Sequence, residues 1–570
     1  MKTLKKSSII RFVSFKIFAI FCFSFLGLSL HAQINWTNDG DAYYRLEKNE
    51  LVTYTLPDKE KEVVISQEQL TPEDATEPIT VAHFSFSEDQ QKVLLFTNTK
   101  KVWRLNTKGD YWVFDFETNE LRQLGKTLPE SSLMFAKFSP TGKRSLMSSE
   151  NNLYYEELGS GEIKPLTTNG TVSLINGTFD WAYEEEFACR DGFRWSPDSK
   201  SIAYWQIDAS DIKEFYMINN TDSSRKSSPS NILKVGETPS ACRVGTVNIS
   251  DAKTTWIDVP GNARQHYIVR MEFIPETGKL LIQQLNRKQN HSKLFIAYAT
   301  EGSTKVIYEE SDEAWVDLFQ VGSRYAIDYI NDFMFLENNN SILWASEKDG
   351  WRHLYRVSLE GKPEVLVTKG DFDVIDLKHI NQKEGEVYYM ASPNNATQKY
   401  LYKTKLNGKG KNKLVSPESL KGTHDYFFSP NGAYALHTFT NHYTPRTSEF
   451  ITVAGHKALS EEESIVNNLK ELEQEKTTEF FTITTADSVE MDGWMVKPTD
   501  FDSTKKYPVV FFVYSEPAST TVNDTYNAGK NWYYSGNMAD DGYIYVRWTT
   551  GERRFRRPEW KNPFTERLAW

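Results

Sequence analysis

One phrase recurs along this chain: an aromatic residue, a Ser-Pro-Asp/Asn-Gly type of turn, then a strand of alternating apolar residues. It reads "FSFSEDQQKVLLFTNT" from Phe84, "FSPTGKRSLMSSENNLYYEE" from Phe138, "WSPDSKSIAYWQID" from Trp195 and "FSPNGAYALHTFTNH" from Phe428. Weaker copies start at Phe273, Phe335 and Ile380, and "AYYRLEKNELVTYTL" supplies an initial unit. Alternation with period two is the mark of a half-buried strand. Hairpin pairs repeating every ~40 to 50 residues are the mark of four-stranded propeller blades. The expectation is a mainly β chain with an about eight-bladed β-propeller between residues 40 and 456. Radial repetition of this kind hides sheet edges without long helices. Two or more β-sandwiches are the alternative architecture.

Beyond the last repeat the texture changes. "LSEEESIVNNLKELEQE" reads as a charged helical connector, and "EFFTITTADSVEMDGWMVKP" as a hairpin. "KKYPVVFFVYSEPAS" carries a continuous apolar run, Val509 to Tyr514, of the kind buried in α/β sheets, and "DDGYIYV" is a second such run. A second domain is therefore expected from residue 476, an incomplete α/β-hydrolase domain over 476–570, with the propeller over 33–475.

The net charge of −11 and pI near 5.6 argue against nucleic acid or an anionic membrane as partner, since both call for basic stripes. The first 32 residues read as a signal peptide: Lys2, Lys5, Lys6, Arg11 and Lys16 precede the apolar "IFAIFCFSFLGLSL", and "HAQ" offers a cleavage after Ala32. Export to a periplasmic or extracellular location follows, with an uncleaved N-terminal anchor as the other reading. Cys189 and Cys242 remain after cleavage, either paired or as buried free thiols. No Cys/His cluster has zinc-like spacing and no glycine loop suits phosphate, so no metal and no cofactor is expected.

"FDWAYEEEFA", residues 179–188, places Glu184, Glu185 and Glu186 inside an aromatic frame. Adjacent carboxylates repel and are costly to desolvate, so such a trio either points into water or awaits a cation. Together with the repeats and "KKYPVVFFVY", this motif resembles the dipeptidyl peptidase IV family of the prolyl oligopeptidase clan of serine peptidases, in a bacterial member. The resemblance implies release of N-terminal X-Pro or X-Ala dipeptides. It implies that Glu185 and Glu186 bind the free amino group of a peptide N-terminus, with Glu184, Asp180, Trp181 and Tyr183 in support. An ammonium offers three donors that two carboxylates can accept, which fixes how far the chain reaches. The "WR" of "KKVWRLNT" implies that Arg104 donates to a substrate carbonyl and braces the glutamates, a double task suited to a planar guanidinium. "VYSEPAS" implies that Tyr514 donates to the oxyanion, although "SEPA" stands where relatives carry a Gly-Gly-Pro type turn. Family members often form homodimers.

The Gly-x-Ser-x-Gly elbow, and the Asp and His that should follow it, do not occur in the 570 residues. On this reading the Ser/Asp/His triad is absent and the chain as written is inactive; a non-catalytic propeller binding peptide N-termini or a protein partner is the alternative. The arginine-crowded end, "RWTTGERRFRRPEWKNPFTERLAW", is foreign to the rest. Read two bases out of phase, the codons for Trp548 to Arg553 permit Asp-Asn-Arg-Gly-Thr, and those for Asn562 to Glu566 permit Ser-Ile-Tyr-Gly, both phrases expected of relatives. A one-base loss near Arg547 is the expectation, which puts residues 547–570 out of frame and makes the part beyond residue 476 prone to aggregation or proteolysis.

Overall fold

The computed structural model describes residues 34–219, 227–234, 236–318, 333–336, 339–475, 477–486, 488, 490–513, 521–531 and 534–549. Its strands build eight antiparallel blades in chain order: residues 35–65, 83–124, 133–165, 174–256, 266–311, 334–366, 374–414 and 423–458. Blades 2 and 3 are joined into one sheet where Lys108 and Gly109 pair with Met134 and Leu133.

The recurring phrase has a local physical cause. In blade 2 the Ser87 hydroxyl donates to Asp89 Oδ1 at 2.6 Å, and the same oxygen accepts the N–H of Gln91. Ser196 with Asp198, and Ser429 with Asn431, repeat the arrangement in blades 4 and 8. The next residue in each turn, Gln90, Ser199 or Gly432, takes a positive φ. A short side-chain acceptor two residues after a serine thus turns the chain into the following strand.

The ring closes by packing, because the blade 1 and blade 8 sheets are each built from consecutive strands. Tyr43 and Leu56 of blade 1 pack on Phe450 of blade 8, with Tyr43 and Phe450 stacked at 4.7 Å. Asn431 donates to the Asp39 carbonyl and the Asp41 carboxylate, and Lys59 pairs with Glu463. Around the axis the innermost strands of blades 1 to 5, 7 and 8 line a cavity of about 840 Å³, through residues that include Asn35, Phe84, Lys137, Arg194, Glu272 and Lys378.

Helix α2, Ile465–Leu472, is capped by Ser464 and lies against blade 8, where Ile465 packs on Leu420 and Phe439. A mixed sheet follows: Thr478–Thr484 and Glu490–Val496 form the expected hairpin, Ile544–Trp548 pairs antiparallel with the second of these, and Val509–Phe512 pairs parallel with Ile544–Trp548. Trp494 and Tyr545 anchor its core. The expectation of a buried strand at Val509 is corrected here. This strand ends the sheet among the described residues, with Val509 and Phe511 exposed at 44% and 54%. Asp524, 4% exposed, fastens the region to the propeller: its N–H donates to the Thr397 carbonyl, and its carboxylate accepts from Gln398 and His442.

Candidate functional site

The inner strand of blade 4 is interrupted. Leu174–Asn176 and Phe193–Trp195 both pair with Ser201–Asp208, and the sixteen residues 177–192 between them leave the sheet and return. Gly177 and Gly192 make this excursion possible. The N–H of Gly192 donates to the Gly177 carbonyl at 3.1 Å, and a Cβ on Gly192 would meet Gly177 backbone atoms at 2.8 and 2.9 Å. Only glycine allows the two chain segments to approach so closely.

The excursion contains helix α1, Trp181–Phe187. Asp180 caps it by accepting the Tyr183 N–H at 3.0 Å, and Ser240 donates to the other Asp180 oxygen at 2.5 Å. Burial raises the Asp180 carboxyl above the usual carboxylate range, and these two donors partly offset that. Ala188 ends the helix in a left-handed conformation. Tyr183 and Phe187 are each 1% exposed and pack against Tyr267 of blade 5, while the Ile268 N–H donates to the Tyr183 hydroxyl. One face of the helix is thus fixed in the core of blades 4 and 5, and the glutamates occupy the remainder.

The three carboxylates have different settings. Glu184 pairs with Arg190 at 3.3 Å, with both side chains largely buried; burial lifts its carboxyl above the ordinary value and Arg190 opposes the lift. Glu185 is half-buried and receives two bonds from Arg104, Nε to Oε2 at 3.0 Å and Nη2 to Oε1 at 2.5 Å. Glu186 is exposed, close enough to Tyr267 that its charge adds to the burial that raises that hydroxyl's pKa. Arg104 comes from blade 2, whose hairpin strands Lys92–Val102 and Leu105–Asp115 run well past the blade and turn at Trp103 and Arg104, with Trp103 at φ 51°. The bidentate pair therefore joins blades 2 and 4.

Of the residues singled out from sequence, Arg104, Asp180, Tyr183, Glu184, Glu185 and Glu186 lie on or against this one helix. Trp181 opens the helix, half-buried. Tyr514 lies outside the described residues, as do residues 1–33, which include the 32 residues read as a signal peptide, and 550–570 of the tail. Sequence reasoning missed Ser240 and Arg190. Arg190 lies six positions past its partner, whereas Ser240 is brought in from 60 residues away by the fold alone. Cys189 and Cys242 are both buried and are not joined to each other by a disulfide, and burial pushes the Cys242 thiol up to about 12. Among the described residues no helix is long and apolar enough to cross a membrane.

Fold and site together define a propeller that offers a braced pair of carboxylates and is followed by a mixed sheet. The chain belongs to the family described as the dipeptidyl peptidase IV (DPP IV) N-terminal region, whose model matches residues 87–446. A curated protein of Aspergillus niger named dipeptidyl-aminopeptidase B is 26% identical over 486 residues, which are 81% of this chain and 53% of that protein. The crystal structure of Porphyromonas gingivalis dipeptidyl peptidase 4 is similar with a TM-score of 0.82 and 25% identity, covering 94% of this chain and 73% of that one. A Bacteroides ovatus structure at 19% identity and a TM-score of 0.72 shares the fold over 94% of this chain. The chain spans about half the length of the curated relatives it matches.

Proposed function

We propose that this chain holds the recognition half of a dipeptidyl peptidase, in which Glu185 and Glu186 receive the ammonium of a peptide N-terminus. The observation that carries the reading is the bidentate Arg104–Glu185 pair. It neutralises one carboxylate and fixes its orientation, while Glu186 stands next to it on the exposed side of the same helix. A substrate ammonium can donate to both, each charge-assisted bond contributing about 1.5 to 3 kcal/mol. Arg104 is then placed to donate to a carbonyl of the bound dipeptide. Anchoring the amine measures a fixed distance along the peptide, which makes the bond after residue two the one presented for cleavage.

In the family enzyme the mixed sheet after residue 478 begins the peptidase domain, Tyr514 donates to the oxyanion, and X-Pro or X-Ala dipeptides are released. The names of the relatives support a dipeptidyl peptidase activity. The basic and apolar leader supports export.

Binding can be measured without turnover. Calorimetry with a Gly-Pro-initiated peptide is expected to show association that is lost when the peptide is N-acetylated and when Glu185 and Glu186 are both changed to glutamine. Equal affinity for free and acetylated peptides would sink the proposal.

A further inference from the structure

We propose that blade 8 carries a binding site for a divalent transition metal, with zinc the best-fitting ion, formed by His437, Glu449 and His456. One nitrogen of each histidine and one carboxylate oxygen lie within 4.8 Å of one another. His437 and Glu449 face each other directly on the adjacent strands Tyr434–Asn441 and Thr444–Thr452, so their side chains share a face of the sheet, and they are 0% and 2% exposed. His456, half-buried, comes from the turn that follows.

The hydrogen-bond chain behind His437 decides which atom is offered. His424 Nε2 lies 2.9 Å from the Leu420 carbonyl, which can only accept, so this nitrogen bears the hydrogen. His424 Nδ1 is then an acceptor, and His437 Nε2 must donate to it across 2.9 Å. That leaves His437 Nδ1 as a bare lone pair facing Glu449 Oε1 at 2.8 Å. With His437 neutral and Glu449 ionised these are two acceptors in contact, a pairing that a shared proton or a metal ion relieves, and His456 places a third ligand atom beside them, which a proton does not use and a metal does. A carbonyl–histidine relay that orients a ligating imidazole is the usual outer support of a metal site. Tyr426, itself bonded to Ser416, holds His456 Nε2 at 2.8 Å.

The donor set selects the ion. Two imidazoles and one carboxylate suit zinc, whereas calcium and magnesium take oxygen ligands. Spacing along the chain gives no hint of the site, because its members come from two paired strands and a turn. The other Glu449 oxygen accepts the N–H of Ile465 in the first turn of α2. A bound ion would therefore tie two strands, the turn at His456 and the start of the connector helix to one point.

The test uses the full chain, stripped with a chelator and then exposed to zinc sulfate. The expected result is one zinc per chain by elemental analysis, two imidazole nitrogens around the metal by X-ray absorption, and a thermal midpoint raised by about 3 °C at hundredfold excess over Kd. His456→Gln and Glu449→Gln should each abolish stoichiometric zinc, and His424→Gln should weaken it by about 10- to 100-fold. His456 lies in a half-buried turn, so its variant keeps the test valid if others fail to fold. A wild-type chain that takes up no zinc at micromolar free metal would overturn the site and leave a proton between His437 and Glu449. Zinc bound equally by wild type and His456→Gln would overturn it as well.

Discussion

Arg104 grips Glu185 with two guanidinium nitrogens across 81 residues of sequence, so that the tip of a blade 2 hairpin orients a helix inserted in blade 4. The Arg104 side chain is 61% exposed, and an ion pair so open to water adds at most about 1 kcal/mol to stability. Its value lies in positioning. Arg104→Ala is expected to leave the thermal midpoint within about 2 °C of wild type while weakening a Gly-Pro peptide about tenfold or more by calorimetry. Arg104→Lys should recover little, since a single ammonium cannot hold both carboxylate oxygens in one plane.

Asp180 acts one level deeper. It caps α1 and takes the Ser240 hydroxyl in a buried place. Asp180→Ala removes the cap and strands a donor, costing about 1 to 3 kcal/mol, which thermal or urea unfolding would register. Asp180→Asn keeps the accepting oxygen and should cost under about 1 kcal/mol. Burial raises the Asp180 pKa when folded, so the stability linked to it is full below the ordinary value of 3.8 and falls as pH rises through the folded value. The asparagine variant should flatten that dependence.

The blades were legible because their signal is local. Ser87 with Asp89, Ser196 with Asp198, and Ser429 with Asn431 each close a turn over two residues, and alternation then marks the strand. The glutamate trio was singled out only through its resemblance to a family, since three adjacent acids alone fit a solvated turn better, and nothing in the sequence marked the helix that carries them. Ser240 reaches Asp180 through tertiary packing that leaves no periodic trace. Val509–Phe512 was read as buried because an apolar run does not reveal how many neighbours a strand has, and here it has one among the described residues. The spacing of Cys189 and Cys242 could not say that the two are not bridged to each other; their burial follows from the core of blades 4 and 5.

The turn chemistry makes its own pH prediction. The Ser87 hydroxyl, and after it the Gln91 N–H, hold the Asp89 carboxyl below its ordinary value of 3.8. A lowered folded pKa gives stability that is full above 3.8 and is lost as pH falls through the folded value. Ser87→Ala should therefore destabilise by about 1 kcal/mol at pH 7. The gap from wild type should be narrower at pH 3, which lies closer to the folded value of Asp89 than pH 7 does. Urea midpoints at the two pH values check this, and a constant gap would mean that packing of Ser87 rather than its bond to Asp89 sets the cost.

Asp524 decides how firmly the mixed sheet sits on the propeller. Its carboxylate accepts from Gln398 Nε2 at 2.8 Å, the His442 N–H at 2.7 Å and His442 Nδ1 at 2.9 Å. Its backbone N–H reaches the Thr397 carbonyl at 2.7 Å, and its own carbonyl accepts from the Thr423 hydroxyl at 2.9 Å. Blades 7 and 8 are thus both bonded to one buried residue. Asp524→Ala leaves three donors without their acceptor, and a cost of about 3 kcal/mol falls on docking rather than on either sheet's own core. Two factors of ten in the undocked population follow, so protease cleavage in the connector between α2 and Thr478 should quicken about 100-fold, with the propeller itself resistant. Asp524→Asn, which retains one accepting oxygen, should fall between. An unchanged cleavage rate in Asp524→Ala would place the docking energy in the apolar contact of Phe480 with His442, whose rings lie 5.3 Å apart.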